Sequence, residues 1–293
     1  MSASVHTIRP QFVAEVRGFS IAAPLSDEDF AVIRQALDDY GVLVFHDQDI
    51  SDEQQAAFSK RFGELELPGA ASNITHPDDR RLGSEIADLS NLDKHGDILG
   101  NSDRQRMFNL GNRLWHSDSS FRAVPAQYSM LSGRIVPDEG GDTHFADMYS
   151  AYDALDDDLK AELDELICEH SLMYSRATLG FDELSEAERV QFTPVKQRLV
   201  RTHPSTGRKS LYLSAHAGTI VGWPVPEARS LLRDLMEDAT HERHVYAHQW
   251  RQYDFVIWDN QRTMHRARPF KDKSVVRDMH RTTVAGIVPT VAQ

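Results

Sequence analysis

Three His-x-Asp triplets, His76-Pro77-Asp78, His95-Gly96-Asp97 and His116-Ser117-Asp118, are the residues whose spacing first suggests chemistry. On an extended strand, residues two apart point to the same side, so an imidazole and a carboxylate in this pattern can meet on one metal ion. One remote histidine would complete the two-His-one-carboxylate face of a non-haem iron(II) oxygenase, with the opposite positions open. The triplet alone is a weak signal. With 14 His and 29 Asp in 293 residues, chance supplies about 1.4 of them. The first two lie among polar residues where Pro77 and Gly96 favour turns, and they read as solvated loop residues. The third is flanked by Leu114, Trp115 and Phe121, so only it can sit on an ordered strand at the mouth of a core. A buried histidine hydrogen-bonded to Asp118 is the bland reading of the same residues.

His265 is the remote candidate, because the strand-like run Phe255-Val256-Ile257-Trp258-Asp259-Asn260 would deliver it from the core. Arg277 and Arg281 follow at +12 and +16. A guanidinium pairs with a carboxylate through two parallel hydrogen bonds, so these positions suit a ligand with one or two acid groups. Gly140-Gly141-Asp142-Thr143 reads as a turn feeding a strand; its functional reading places the Thr143 hydroxyl on a bound carboxylate. Cys168 is the single cysteine, which excludes an intrachain disulfide, a multi-Cys zinc site and an iron–sulfur cluster. Any metal must therefore rest on His and carboxylate ligands. A reducing cytoplasm fits.

The elements that would hold these residues read as follows. Ser26-Asp27-Glu28-Asp29 starts a helix with Phe30, Ile33 and Leu37 on one face, and Gly41 ends it. Val42 to Phe45 reads as a buried strand, and a second helix runs from about Ser51 to Phe62. Residues 64–105 are polar and turn-rich and read as a long loop or lid. Strands are expected at Ala126 to Val136, Leu211 to Ser214, Phe255 to Asp259 and Arg281 to Val288. Helices are expected from Tyr149 to Glu169 and from Pro226 onward. Many short strands with a few helices predict a mainly β fold with flanking helices, a sandwich or jelly roll in one domain over residues 1–293.

Composition narrows the partners. The net charge is −13, which argues against nucleic acid or an anionic membrane as a partner. A locally basic pocket for a small anion stays open. The first ten residues lack the apolar core of an export signal. The stretch from Ser210 to Pro226 is free of Asp, Glu, Lys and Arg but carries His216, two glycines and two prolines, so it is not a membrane span.

Together, Leu114-Trp115-His116-Ser117-Asp118-Ser119-Ser120-Phe121, Gly140-Gly141-Asp142-Thr143, Trp258-Asp259-Asn260, His265 and the two spaced arginines resemble the iron(II)/2-oxoglutarate-dependent dioxygenases of the taurine dioxygenase type. Within that group the chain is similar to the 2,4-dichlorophenoxyacetate branch, through Tyr128-Ser129-Met130-Leu131-Ser132, Tyr174-Ser175-Arg176, Val200-Arg201-Thr202-His203 and Ala215-His216-Ala217. The resemblance implies a double-stranded β-helix, or jelly roll, and a cofactor set of Fe(II), 2-oxoglutarate and O2. It makes His116, Asp118 and His265 the iron ligands. Thr143 and Arg277 would hold the distal carboxylate of 2-oxoglutarate. Arg281 would lie near its other end and near the substrate acid, with His203 and His216 on the substrate side. The implied reaction hydroxylates an aryloxyacetate, which collapses to a phenol and glyoxylate, while 2-oxoglutarate becomes succinate and CO2. A sulfonate, alkyl sulfate or arylpropionate substrate, a redox-silent jelly-roll binder and a zinc hydrolase are the alternatives. A homo-oligomer and a small carboxylate substrate complete the expected partners. The chain departs from the pattern at Gln261, where Arg is expected.

Overall fold

The computed structural model describes residues 3–67 and 74–293. Its largest sheet has seven strands, in the spatial order Ser4–Arg9, Val13–Arg17, Val42–Phe45, Phe255–Asp259, Tyr128–Ile135, Asp278–Val284 and Ala87–Asp88. A smaller sheet carries Thr143–Asp147 between Val245–His248 and Thr263–Ala267. Alternation along the strands decides what lies on each face. Val42 and Val44, with Val256 and Trp258, join Phe145 of the smaller sheet in one core. Leu43 and Phe45, with Phe255 and Ile257, turn to the opposite face and pack under Ile33, Leu37 and Phe58. Because both faces are covered, Val42 to Phe45 and Phe255 to Trp258 are apolar at every position rather than at every second one. The result is the expected jelly roll with helices on its outer face.

Those two outer helices are framed by their caps. Ser26 accepts from the Asp29 amide at the start of Asp27–Tyr40, and Gly41, at φ 78°, ends it in the left-handed conformation. A side chain at Gly41 is excluded twice over, since a Cβ there would come within 2.7 Å of Arg262 Nε. Ser51 and Gln54 form a reciprocal capping box at the start of Asp52–Ser59.

Beyond the jelly roll, Ala217–Ile220, Ile167–His170 and Val195–Arg198 form a third sheet, and Val200–Thr202 pairs with Lys209–Leu211. Helix Val225–Ala239 seats Ala228, Leu232 and Leu235 in the core beneath them.

Three expectations need correction. The helix expected over Tyr149 to Glu169 is two short helices, Met148–Asp153 and Asp157–Leu163, followed by the strand Ile167–His170. The break comes from Asp156, whose carboxylate caps the second helix by accepting from Leu159 N, while Ile167 pairs across to Arg198. Strand Lys209–Leu211 stops short of Ser214, and the last strand is Asp278–Val284, so Arg281 lies in its middle and not at its start.

Residues 64–105 are more structured than a polar loop suggests; residues 68–73 of it lie outside the described residues. Leu65 bridges Val284, Ala87–Asp88 joins the edge of the large sheet, and Arg104 opens a helix that runs to Asn109. Arg81 clamps the segment by pairing with Asp88 and Asp278. Among the described residues, no helix is long and apolar enough to cross a membrane.

Candidate active site

His116 and Asp118 follow the short turn Leu110–Arg113, while His265 sits in strand Thr263–Ala267. The two histidines form a lone antiparallel bridge, each amide donating to the other's carbonyl at 3.0 and 2.8 Å. Their rings stand 4.2 Å apart, centroid to centroid. Asp118 faces both, with Oδ1 3.9 Å from His116 Nε2 and Oδ2 3.8 Å from His265 Nε2. All three side chains are buried, and their ligand atoms lie within 4.8 Å of one another. That is a two-nitrogen, one-oxygen face suited to a first-row divalent metal.

The surroundings prepare these groups to ligate. His116 Nδ1 lies 2.8 Å from Leu114 O, which can only accept, so the proton belongs on Nδ1 and Nε2 keeps its lone pair. Burial pushes both imidazoles below the ordinary histidine range, which keeps them neutral. Burial alone would raise Asp118, but the Arg281 guanidinium on Oδ1, with the imidazoles and Ser129 in support, holds it down at about 2. The carboxylate is therefore ionised and ready for a cation.

Trp258-Asp259-Asn260 is the frame behind this centre. Asn260 Oδ1 accepts from Asp118 N and Trp258 Nε1, its Nδ2 donates to Ser129 Oγ, and Ser129 Oγ donates to Asp118 Oδ2. Ser117 Oγ donates to the Asn260 carbonyl. Ser119, just past the ligand, holds φ 56°, a left-handed conformation that costs a side-chain-bearing residue roughly 1–2 kcal/mol. It is fixed there by a 2.6 Å hydrogen bond to Glu66.

Two cavities meet at the three ligands. The first holds about 900 Å³ of empty space, open solvent included, and runs from His116, His265 and Arg281 to Thr143 and Arg277. Arg277 is buried, its Nε has no partner, and no carboxylate pairs with it among the described residues. Burial pulls it down to about 10, so the guanidinium remains charged at neutral pH. Asn91, in the segment first read as a loop, locks its backbone by accepting from Arg277 N and donating to the Asp272 and Val275 carbonyls. The Gly140-Gly141 pair is needed here. Both hold φ above 70°, and a Cβ on Gly141 would sit 2.9 Å from Pro137 and 3.4 Å from Arg277 Nε. Thr143 Oγ1 accepts from Trp250 Nε1, which leaves its own O–H free to donate. A metal-ligand triad at one end and an orphaned guanidinium with a hydroxyl at the other suit a keto acid with two carboxylates.

The second cavity, about 620 Å³, shares His116 and Arg281 with the first and adds Asp118, His216, Phe121, Leu172 and Arg176. His216 reaches it with Nδ1 2.8 Å from Ser175 Oγ and its ring 5.0 Å from Phe121. His203, expected beside it, is not brought there. It lines neither cavity and lies behind the metal centre with Nε2 2.8 Å from Asp259 Oδ2, while the Ser205 and Thr206 amides point at Nδ1. Gln261 fills the place expected of arginine. It accepts from Arg201 and donates to Asp259, so Arg201 supplies the cation from another strand. His76 and His95 are exposed in the 64–105 segment, as their turn residues implied. Asn91, Arg176 and Ser129 carried no role in the sequence reading. Ser129 and Arg176 had entered only as points of likeness to the 2,4-dichlorophenoxyacetate branch, in Tyr128-Ser129-Met130 and Tyr174-Ser175-Arg176.

The comparisons agree with this geometry. The family model for taurine catabolism dioxygenase TauD, TfdA family matches residues 4–283. An alpha-ketoglutarate-dependent 2,4-dichlorophenoxyacetate dioxygenase from Cupriavidus pinatubonensis is 42% identical over 283 residues, covering 97% of this chain and 98% of that protein. An (S)-phenoxypropionate/alpha-ketoglutarate-dioxygenase from Sphingobium herbicidovorans is 38% identical, covering 94% and 92%. The crystal structure of AAD-2 in complex with Mn(II) and N-oxalylglycine superposes with a TM-score of 0.95 at 53% identity, covering 99% of this chain and all of that one. With two histidines and an aspartate that could hold a metal gathered in one place, this chain belongs to the TauD, TfdA dioxygenase family and is an iron(II)/2-oxoglutarate-dependent dioxygenase.

Proposed function

We propose that the chain hydroxylates the carbon beside the acid group of an aryloxyacetate such as 2,4-dichlorophenoxyacetate. The observation that carries this reading is the placement of His116, Asp118 and His265 between an acid-binding cavity and a second one walled by Phe121 and Leu172. Iron(II) on the three ligands supplies, with O2, the oxidative decarboxylation of 2-oxoglutarate to succinate and CO2 that is coupled to substrate hydroxylation. Arg277 and Thr143 would hold the distal carboxylate, which fixes how far the keto end reaches. Arg281 keeps Asp118 ionised and borders both ligands. Leu131 and Trp258 line the first cavity and exclude water from it. A hydroxyl on the ether carbon makes a hemiacetal, which breaks its carbon–oxygen bond to release the phenol and leave glyoxylate.

The test is O2-dependent consumption of 2-oxoglutarate across phenoxyacetates, phenoxypropionates, taurine and alkyl sulfates. Phenol and glyoxylate formed in step with succinate are expected from 2,4-dichlorophenoxyacetate; stimulation by taurine or an alkyl sulfate alone would replace the substrate assignment. A cytoplasmic setting is part of the proposal, supported by the single, buried Cys168. So is a homo-oligomer, which light scattering reads directly.

A further inference from the structure

Arg176 repeats, in the second cavity, the features that mark Arg277 in the first. It lies at the end of the short helix Leu172–Ala177, is 5% exposed, and has an Nε with no partner. No carboxylate pairs with it among the described residues, and burial pulls it down to about 10, so it stays cationic. Among the described residues its side chain donates one hydrogen bond, from Nη1 to Ser175 Oγ at 3.3 Å. A buried, unpaired charge is costly, and a chain that keeps one has a use for it.

The guanidinium is also held in place. Phe108 lies beneath it, 4.5 Å from Cζ to the ring centroid. Gly111 backs it so closely that a Cβ there would sit 2.1 Å from both Cζ and Nη1. Ser175 donates its hydroxyl proton to Leu172 O at 2.8 Å, so its oxygen can only accept, from Arg176 Nη1 and from the Nδ1–H of His216. One hydroxyl thus orients both groups. In the neutral His216 ring that leaves Nε2 without a proton, so it offers no donor to an anion. Arg281, the other arginine of this cavity, is engaged with Asp118 through Nη1, and its Nε has no partner among the described residues.

We infer that Arg176 helps to anchor the acid group of the organic substrate, pairing with it through the guanidinium edge left free, beside Arg281, whose Nη1 stays on Asp118. The aryl group then meets Phe121 and Leu172, and the carbon bonded to the acid group is the one presented to His116 and Asp118. This rests on reading the second cavity as the organic-acid side.

The test compares wild type with Arg176→Gln and Arg176→Lys, using whichever acid in the panel supports the fastest turnover. Arg176→Gln should raise KM for that acid about 30-fold, the order expected for a lost charge-assisted pair, and leave KM for 2-oxoglutarate within about twofold. It should also lose wild type's preference for the acid over its amide, a readout that a merely structural role would not move. Arg176→Lys keeps the charge without the fork and should fall between; it carries the test if Arg176→Gln does not fold. Calorimetric binding of the acid to protein loaded with Mn(II) and N-oxalylglycine should weaken in parallel, and it decides the matter without turnover. Unchanged acid KM with acid preference intact in the folded variants overturns the inference, as does an equal rise in the 2-oxoglutarate KM. Loaded wild type that binds no organic acid overturns it too. Wild type that refuses aryloxyacetates but accepts another acid defeats the substrate assignment alone, and Arg176 is then tested on that acid.

Discussion

The two cavities that meet at His116 each end in a buried arginine with no carboxylate partner among the described residues, yet they are built from different material. Arg277 stands one residue before strand Asp278–Val284, with Thr143 on a facing strand and Gly141 packed beside it. Arg176 stands on a six-residue helix, backed by a short turn and by Phe108 from a third segment. Sheet positions are set by many inter-strand hydrogen bonds, whereas short helices and turns can shift without disturbing the core. On the proposed reading, the invariable ligand would take the rigid side and the organic acid the side that can vary.

The largest effect should come from the centre that both sides share. Asp118→Ala or His265→Ala should lower turnover by at least about a thousandfold while circular dichroism stays native, since the metal loses a ligand. A folded, fully active His265→Ala protein would remove the basis for the whole reading. Next comes the mirror of the Arg176 test. Arg277→Met should raise KM for 2-oxoglutarate about 30-fold or more with little change in KM for the organic acid. If both constants rise together, the cavities are not separate. Gly141→Ala should follow, with a loss of about 1–2 kcal/mol in chemical denaturation and a weaker 2-oxoglutarate site, because φ +74° and the contact with Pro137 both oppose a Cβ.

The smallest effect concerns the cost of polar groups on the substrate side. His170 pairs by backbone with Ala217, beside His216, and neither of its ring nitrogens has a partner among the described residues. Burial pulls it down to about 3, so the unfolded chain takes up its proton first. Stability is therefore intact above about pH 6.5 and is lost as pH falls, by about 2 kcal/mol at pH 5. His170→Phe should flatten the acid limb of a melting-temperature profile and leave the values above pH 7 at or above wild type. An unchanged acid limb would place the acid sensitivity elsewhere.

How much of this was legible in the sequence follows the same division. His265, Thr143 and Arg277 lie on or beside strands, where a glycine turn or a preceding apolar run betrays their direction. The jelly roll was readable for the same reason, through Val42 to Phe45 and Phe255 to Asp259. His116 keeps only an isolated bridge and Asp118 starts a turn, so the strand expected under their spacing of two is not there. Arg176, Asn91 and His203 were not readable in role. Whether an arginine in a six-residue helix faces a cavity depends on which segments pack over it, and Gly111 and Phe108 are about 65 residues away in sequence. The resemblance placed His203 on the substrate side, but Asp259 satisfies it out of reach of either cavity. The helix expected over Tyr149 to Glu169 failed through capping by Asp156, a local competition that a stripe of leucines conceals.

The reciprocal amide bonds between His116 and His265 have one more consequence. Because peptide geometry already sets the interval between the two imidazoles, the ion arrives at a finished template and does not have to assemble one. Its departure is then a local event, unlike that from a zinc finger, where metal release is unfolding. Chelation should leave a native apoprotein that regains activity when ferrous ion is restored, and other divalent ions of similar radius can occupy the same seat without reshaping it.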